Sequence, residues 1–142
     1  MLNKLLSIAK KFDIKVIFLN EITSRGGYIP DVDMIFINAN MEEIEIIRAL
    51  AHEVAHALKH KQQVALYSSS ATFHSKMEYE AECSTIEFLI SNYLTDENIE
   101  PDQLNSIRIM NQYNIDYSYE NVVKQAIIFF YANKKANQHR KY

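Results

Sequence analysis

The sequence predicts an α+β domain: a small three-stranded antiparallel sheet packed with helices, with additional helices towards the C-terminus. Three observations lead there. Residues with high strand propensity concentrate in three short runs between positions 14 and 38. On either side of them, apolar residues recur at helical spacing. The order is one helix, three strands and then four helices, which segregates the two kinds of element as an α+β fold does.

Residues 2–12 place Leu2, Leu5, Leu6, Ala9 and Phe12 on one helical face. Ile14 to Asn20 is rich in β-formers and reads as the first strand. Gly26-Gly27-Tyr28-Ile29 and Met34-Ile35-Phe36-Ile37-Asn38 read as two more, with Pro30-Asp31-Val32-Asp33 as the turn between them. A long helix is expected from near Asn40 to about His60, because Asn40 and Glu43 have the spacing of a capping box. The polar stretch from Lys61 to Ser75 reads as a loop, and a second long helix as covering roughly 76–94. Pro101 suits the first turn of a further helix. Ser118 is a candidate cap for the last one, which should run to about Asn133 ahead of a basic tail.

A chain of 142 residues fits one domain, expected over 1–142 with a core at about 14–95 and a helical part at about 100–133. Its 48% hydrophobic content can supply a core, and two glycines and two prolines argue against low complexity. A net charge of −3 gives no reason to expect direct nucleic-acid binding. Cys83, the single cysteine, cannot form an internal disulfide, so a reducing compartment is expected. Charges interrupt the N-terminal apolar residues too often for a signal-peptide core, and no segment has the length of a membrane span. A cytoplasmic protein without membrane association is the expectation.

The helix expected around residues 40–60 contains His52-Glu53-Val54-Ala55-His56. At about 100° per residue the two histidines lie about 40° apart and ~6 Å along the axis, so both imidazoles can grip one tetrahedral ion. Glu53, rotated by ~100° from His52, stands beside the ion, where a carboxylate can take a proton from water and deliver it to a leaving amine. Ile47, Leu50, Ala51, Val54 and Leu58 form a core stripe on the other face.

Catalytic zinc usually has three protein ligands and one open position. Downstream, Glu78 and Glu82 stand four residues apart on one face of the next helix, heading an apolar stripe through Ile86, Leu89 and Tyr93. Glu78 is the candidate third ligand, and Glu82 can accept the second ring proton of His52 or His56 and so fix its tautomer. Ser75-Lys76-Met77-Glu78 is also a capping-box pattern, which would make Glu78 a cap instead. His60 continues the histidine face one turn on, as a substitute ligand or a cleft-lining residue. His74 is a candidate transition-state stabiliser or a plain loop histidine.

From about residue 14 to 95 the chain resembles the ImmA/IrrE family of metallopeptidases. The resemblance is carried by the Gly27-Tyr28 strand, the Ile35-Phe36-Ile37-Asn38 strand, the Ala51-His52-Glu53-Val54-Ala55-His56-Ala57-Leu58 helix and the Glu78-Tyr79-Glu80-Ala81-Glu82 segment. It implies a zincin-like, thermolysin-type gluzincin core with Zn2+ on His52, His56 and Glu78, and with Glu53 as general base. It also implies a protein substrate, a helix-turn-helix repressor of the Xre/Cro type, and a phage or mobile-element setting. Glu82 stands where such proteins usually have Asn or Asp, and Cys83-Ser84-Thr85 departs from their common Phe-Ala, which marks a divergent member. The alternative function is a non-catalytic regulator that keeps the fold and acts on a repressor by contact.

Overall fold

The computed structural model describes residues 1–59 and 71–140; the side chains of 71–74 and 138–140 lie outside that description. Its elements are α1 (Leu2–Lys11), β1 (Lys15–Leu19), β2 (Gly26–Ile29), β3 (Met34–Asn38), α2 (Glu43–Lys59), α3 (Ala71–Glu97), α4 (Ser106–Gln112) and α5 (Glu120–Arg140). The expected α+β class holds. The chain divides into two compact units, one up to Thr85 and one from Ile86 onward.

In the first unit the sheet is mixed, which corrects the expected antiparallel sheet. The strand order is β1-β3-β2. β2 and β3 form the expected antiparallel hairpin, with Tyr28 opposite Ile35, while β1 runs parallel to β3, with Ile17 opposite Phe36. The cause lies in the connection between β1 and β2. Two strand spacings are about 9.6 Å, a span that residues 20–25 cover easily, so the hairpin can insert β3 next to β1. Asn38, at the end of β3, fastens that connection: its side-chain amide donates to the carbonyls of Ile22 at 3.2 Å and Ser24 at 3.1 Å, and its backbone N–H donates to Arg25.

The glycines of β2 are explained by β3. Gly26 has φ +155°, and a Cβ there would run into the Phe36 carbonyl oxygen. A Cβ on Gly27 would lie 2.8 Å from the tip of the Phe36 ring. The turn after β2 is a 3-10 turn, Pro30–Val32, closed by Asp33 in the left-handed region at φ 48°. Tyr28 donates its hydroxyl to Asp33 at 2.7 Å.

Alternation on β3 buries Ile35 and Ile37 completely. α2 packs on β2 and β3, and α1 packs on α2 and β1. Leu5, Ala9 and Ile14 complete this core with Ile47, Leu50, Ala51 and Val54 of α2, as the stripe predicts. Leu58 is the exception: at 46% exposure it lies outside the core, one residue from the last helical position. α2 begins at Glu43 rather than near Asn40. Asn40 lies three residues before the first helical residue and so is not its cap; its side-chain N–H donates to the Asn20 carbonyl instead.

In the second unit, Pro101 opens only a 3-10 turn, Pro101–Gln103, and α4 starts later under a cap from Asn105, whose side chain accepts the Arg108 N–H. Likewise Asp116, and not Ser118, caps the 3-10 turn that leads into α5. α5 extends past the expected Asn133 to Arg140. Val123, Ile109 and Met110 are buried, whereas Ile107, Ile128 and Phe129 are exposed. No helix among the described residues is long and apolar enough to cross a membrane.

Candidate metal centre

α2 carries Arg48, His52 and His56 at successive i, i+4 positions, which gives them one face. α3 answers with Glu78 and Glu82 at the same spacing. α3 begins at Ala71, several residues before the expected start. Glu78 therefore lies well inside the helix, and the capping-box alternative for it falls away. Where the helices meet, contacts on α2 advance from 48 to 56 while those on α3 retreat from 82 to 78, so the two run in opposite senses.

The contacts form an alternating ladder. Arg48 Nη2 donates to Glu82 Oε1 at 2.7 Å. Glu82 Oε2 faces His52 Nδ1 at 3.3 Å. His52 Nε2 faces Glu78 Oε2 at 2.8 Å, and His56 Nε2 faces Glu78 Oε1 at 2.9 Å. The two Nε2 atoms are 3.2 Å apart, with the rings edge to face at a centroid distance of 4.8 Å. His56 is buried, His52 and Glu82 are largely so, and Glu78 is the most open of the four.

This donor set fits a metal ion. A carboxylate can only accept, so with a cation on Nε2 the ring proton of His52 sits on Nδ1 and goes to Glu82. The His52 Nε2, the His56 Nε2 and both Glu78 oxygens then point at one another. Only a proton or a cation relieves such a convergence. In a tetrahedral site with bonds of about 2.0–2.1 Å the ligand atoms stand roughly 3.3–3.4 Å apart. The two Nε2 atoms are 3.2 Å apart and meet separate Glu78 oxygens at 2.8 and 2.9 Å, and one ligand atom from each of the three residues lies within 4.8 Å of the others. His52, His56 and Glu78 are the group able to hold a metal ion among the described residues.

The electrostatics agree. Burial pushes the Glu53 carboxyl up to about 7; His52 opposes that rise and Glu78 adds to it. Burial pulls His52 down, but the hydrogen bond to Glu82 and the nearby Glu78 and Glu53 charges outweigh it and raise the ring pKa. The His52 hydrogen bond and the Arg48 guanidinium hold Glu82 below the usual carboxylate range against its burial. The carboxylates around His52 favour its cationic form, the same field that would favour a bound cation.

The structure thus brings His52, His56, Glu78 and Glu82 together, with Glu53 on the adjoining helical position. The His74 side chain and His60 lie outside the described residues. Sequence reasoning missed Arg48. Its position one turn before His52, on the ligand face, was the available signal.

An α+β domain that brings two imidazoles from one helix and a carboxylate from the next together has a group of side chains that could hold a metal ion. The chain belongs to the IrrE N-terminal-like domain family, peptidase M78, whose model matches residues 9–126 and so spans the whole site. Membership supports a metallopeptidase-type function. No curated protein and no solved structure gives a significant match.

Proposed function

We propose that the protein is a zinc-dependent endopeptidase that cuts a helix-turn-helix repressor of the Xre/Cro type and so relieves repression. The observation that carries the hydrolytic part is the convergence of His52, His56 and Glu78 within 2.8–3.2 Å, with Glu53 beside it. Those three residues would hold the zinc. Bound there, zinc supplies Lewis acidity, polarising the scissile carbonyl and acidifying water. Glu53 is the general base: its carboxylate accepts the proton of the attacking water and passes it to the departing amine nitrogen. Glu82 holds the Nδ1 proton of His52, which keeps Nε2 available as a ligand. β2 lies at the edge of the sheet, next to α2, and its outer edge can pair with an extended substrate segment through backbone hydrogen bonds.

The repressor as substrate follows from the family resemblance. The test is incubation with the helix-turn-helix repressor encoded nearest this gene. A single cut that disappears with chelator and in Glu53→Gln is the expected result. A folded Glu53→Gln protein that still relieves repression would replace the peptidase with a regulator acting by contact.

A further inference from the structure

We propose that Arg48 is a positioning residue of the metal site, which acts through Glu82 to fix the tautomer of His52. This rests on the reading above, in which His52 is a ligand. The two oxygens of one carboxylate divide the work. Glu82 Oε1 is held by Arg48 Nη2 at 2.7 Å, and Oε2 is thereby turned to His52 Nδ1 at 3.3 Å. The side chains of Arg48, Glu82 and His52 are 14%, 18% and 18% exposed, so little water competes for either oxygen. The guanidinium is a planar fork that fixes direction as well as charge. Its Nη1 lies 3.9 Å from Glu45 Oε1, a neighbour on α2 one turn back, which orients the fork from the other side.

Geometry makes the unit specific to a glutamate. The Glu82 carboxylate spans Arg48 and His52, two residues one turn apart on α2. An aspartate, shorter by one methylene, would not reach both. With Arg48 removed, Oε1 loses the partner that holds it among the described residues, and the Glu82 carboxylate is no longer turned to His52. His52 then loses the acceptor that selects its Nδ1–H form, and its Nε2 is no longer reserved for a metal. Glu82→Gln would be worse than neutral: its amide can present N–H to Nδ1 and select the opposite tautomer.

An Arg–Glu pair between two helices could instead serve only to hold them together. Two readouts separate the roles: zinc affinity by competition with a chromophoric chelator, and the ring tautomer of His52 by 15N spectroscopy of metal-free protein at mildly alkaline pH. In wild type Glu82 should maintain an Nδ1–H population of His52 against the pull of Glu78 on Nε2, and zinc should bind. Arg48→Met should lower that Nδ1–H population and weaken zinc roughly 10- to 100-fold, the usual effect of losing an outer partner of a ligand histidine. Arg48→Lys, which keeps the charge but not the fork and guards against a misfolded Arg48→Met, should recover part of that loss. The Arg48→Met/Glu82→Gln double variant should bind no more weakly than the worse single one, since the two residues act as one unit. The proposal is overturned if Arg48→Met lowers melting temperature while the tautomer and zinc affinity stay at wild-type values, or if the two losses simply add. Wild-type protein that binds no zinc would fail differently: it removes the metal reading itself, and the proposal with it.

Discussion

Zinc should stabilise this fold by an amount the site geometry makes calculable. The ligands come from two helices, His52 and His56 from α2 and Glu78 from α3. The unfolded chain cannot assemble them, because the histidine pair shares a face only when helical and Glu78 approaches only when the helices pack. Binding is therefore almost exclusive to the folded state, and at free zinc one hundred times Kd it adds about 2.7 kcal/mol. Unfolding entropy is roughly 2.1 cal/mol/K per residue. For a transition of all 142 residues the melting temperature should rise by about 9 °C. A transition confined to residues 1–85 should move by about 15 °C. Circular dichroism melts of chelator-stripped protein, with and without zinc, measure the shift. Tyrosine emission gives a second probe, since the chain has nine tyrosines and no tryptophan. Glu78→Gln should abolish most of the rise. If stripped wild type gains nothing from zinc, or if Glu78→Gln gains as much as wild type, the three-ligand assignment is wrong.

Other expectations concern the base and the scaffold. Glu53→Gln should keep zinc affinity near wild type and lower the cleavage rate by roughly 10²- to 10⁴-fold, checked by single-turnover assays with the proposed repressor substrate. Gly26→Ala should cost about 1–3 kcal/mol in urea denaturation, because φ +155° and the Phe36 carbonyl both oppose a Cβ. Gly27→Ala should cost less, since the atom it meets is the end of the Phe36 ring, which can swing aside. Leu50→Ala, at a fully buried position on the core face of α2, should lose about 2–5 kcal/mol without altering the ligand set.

Local periodicity made most of the elements legible. β2 and β3 occur where the alternation and the Pro30 turn put them, and α2 carries its core stripe and its histidines on opposite faces as spacing requires. What failed depended on competition between partners. Asn40 does not cap α2, which starts three residues later; its side chain ties the chain back to the Asn20 carbonyl, a long-range bond invisible in a capping motif. The parallel β1–β3 pairing depended on how residues 20–25 cross the end of β3, which Asn38 decides through bonds to Ile22 and Ser24. Pro101 and Ser118 were sound local signals for helix starts. Asn105 and Asp116 supplied the actual caps, because the chain bends into 3-10 turns first.

The site divides in the same way. The four-residue spacing on α2 puts Arg48, His52 and His56 in line, and that on α3 aligns Glu78 with Glu82. Spacing alone does not say which carboxylate meets which cation. That follows from the opposed packing of the helices, which offsets the two rows so that each carboxylate falls between two α2 side chains: Glu82 between Arg48 and His52, Glu78 between His52 and His56. His52 is consequently engaged on both ring nitrogens by different carboxylates. Its tautomer links the outer pair to the metal-facing trio. A change at Arg48 therefore reaches the site through His52 and leaves His56 and Glu78 in contact. A change at Glu78 removes the bridge between the two imidazoles themselves.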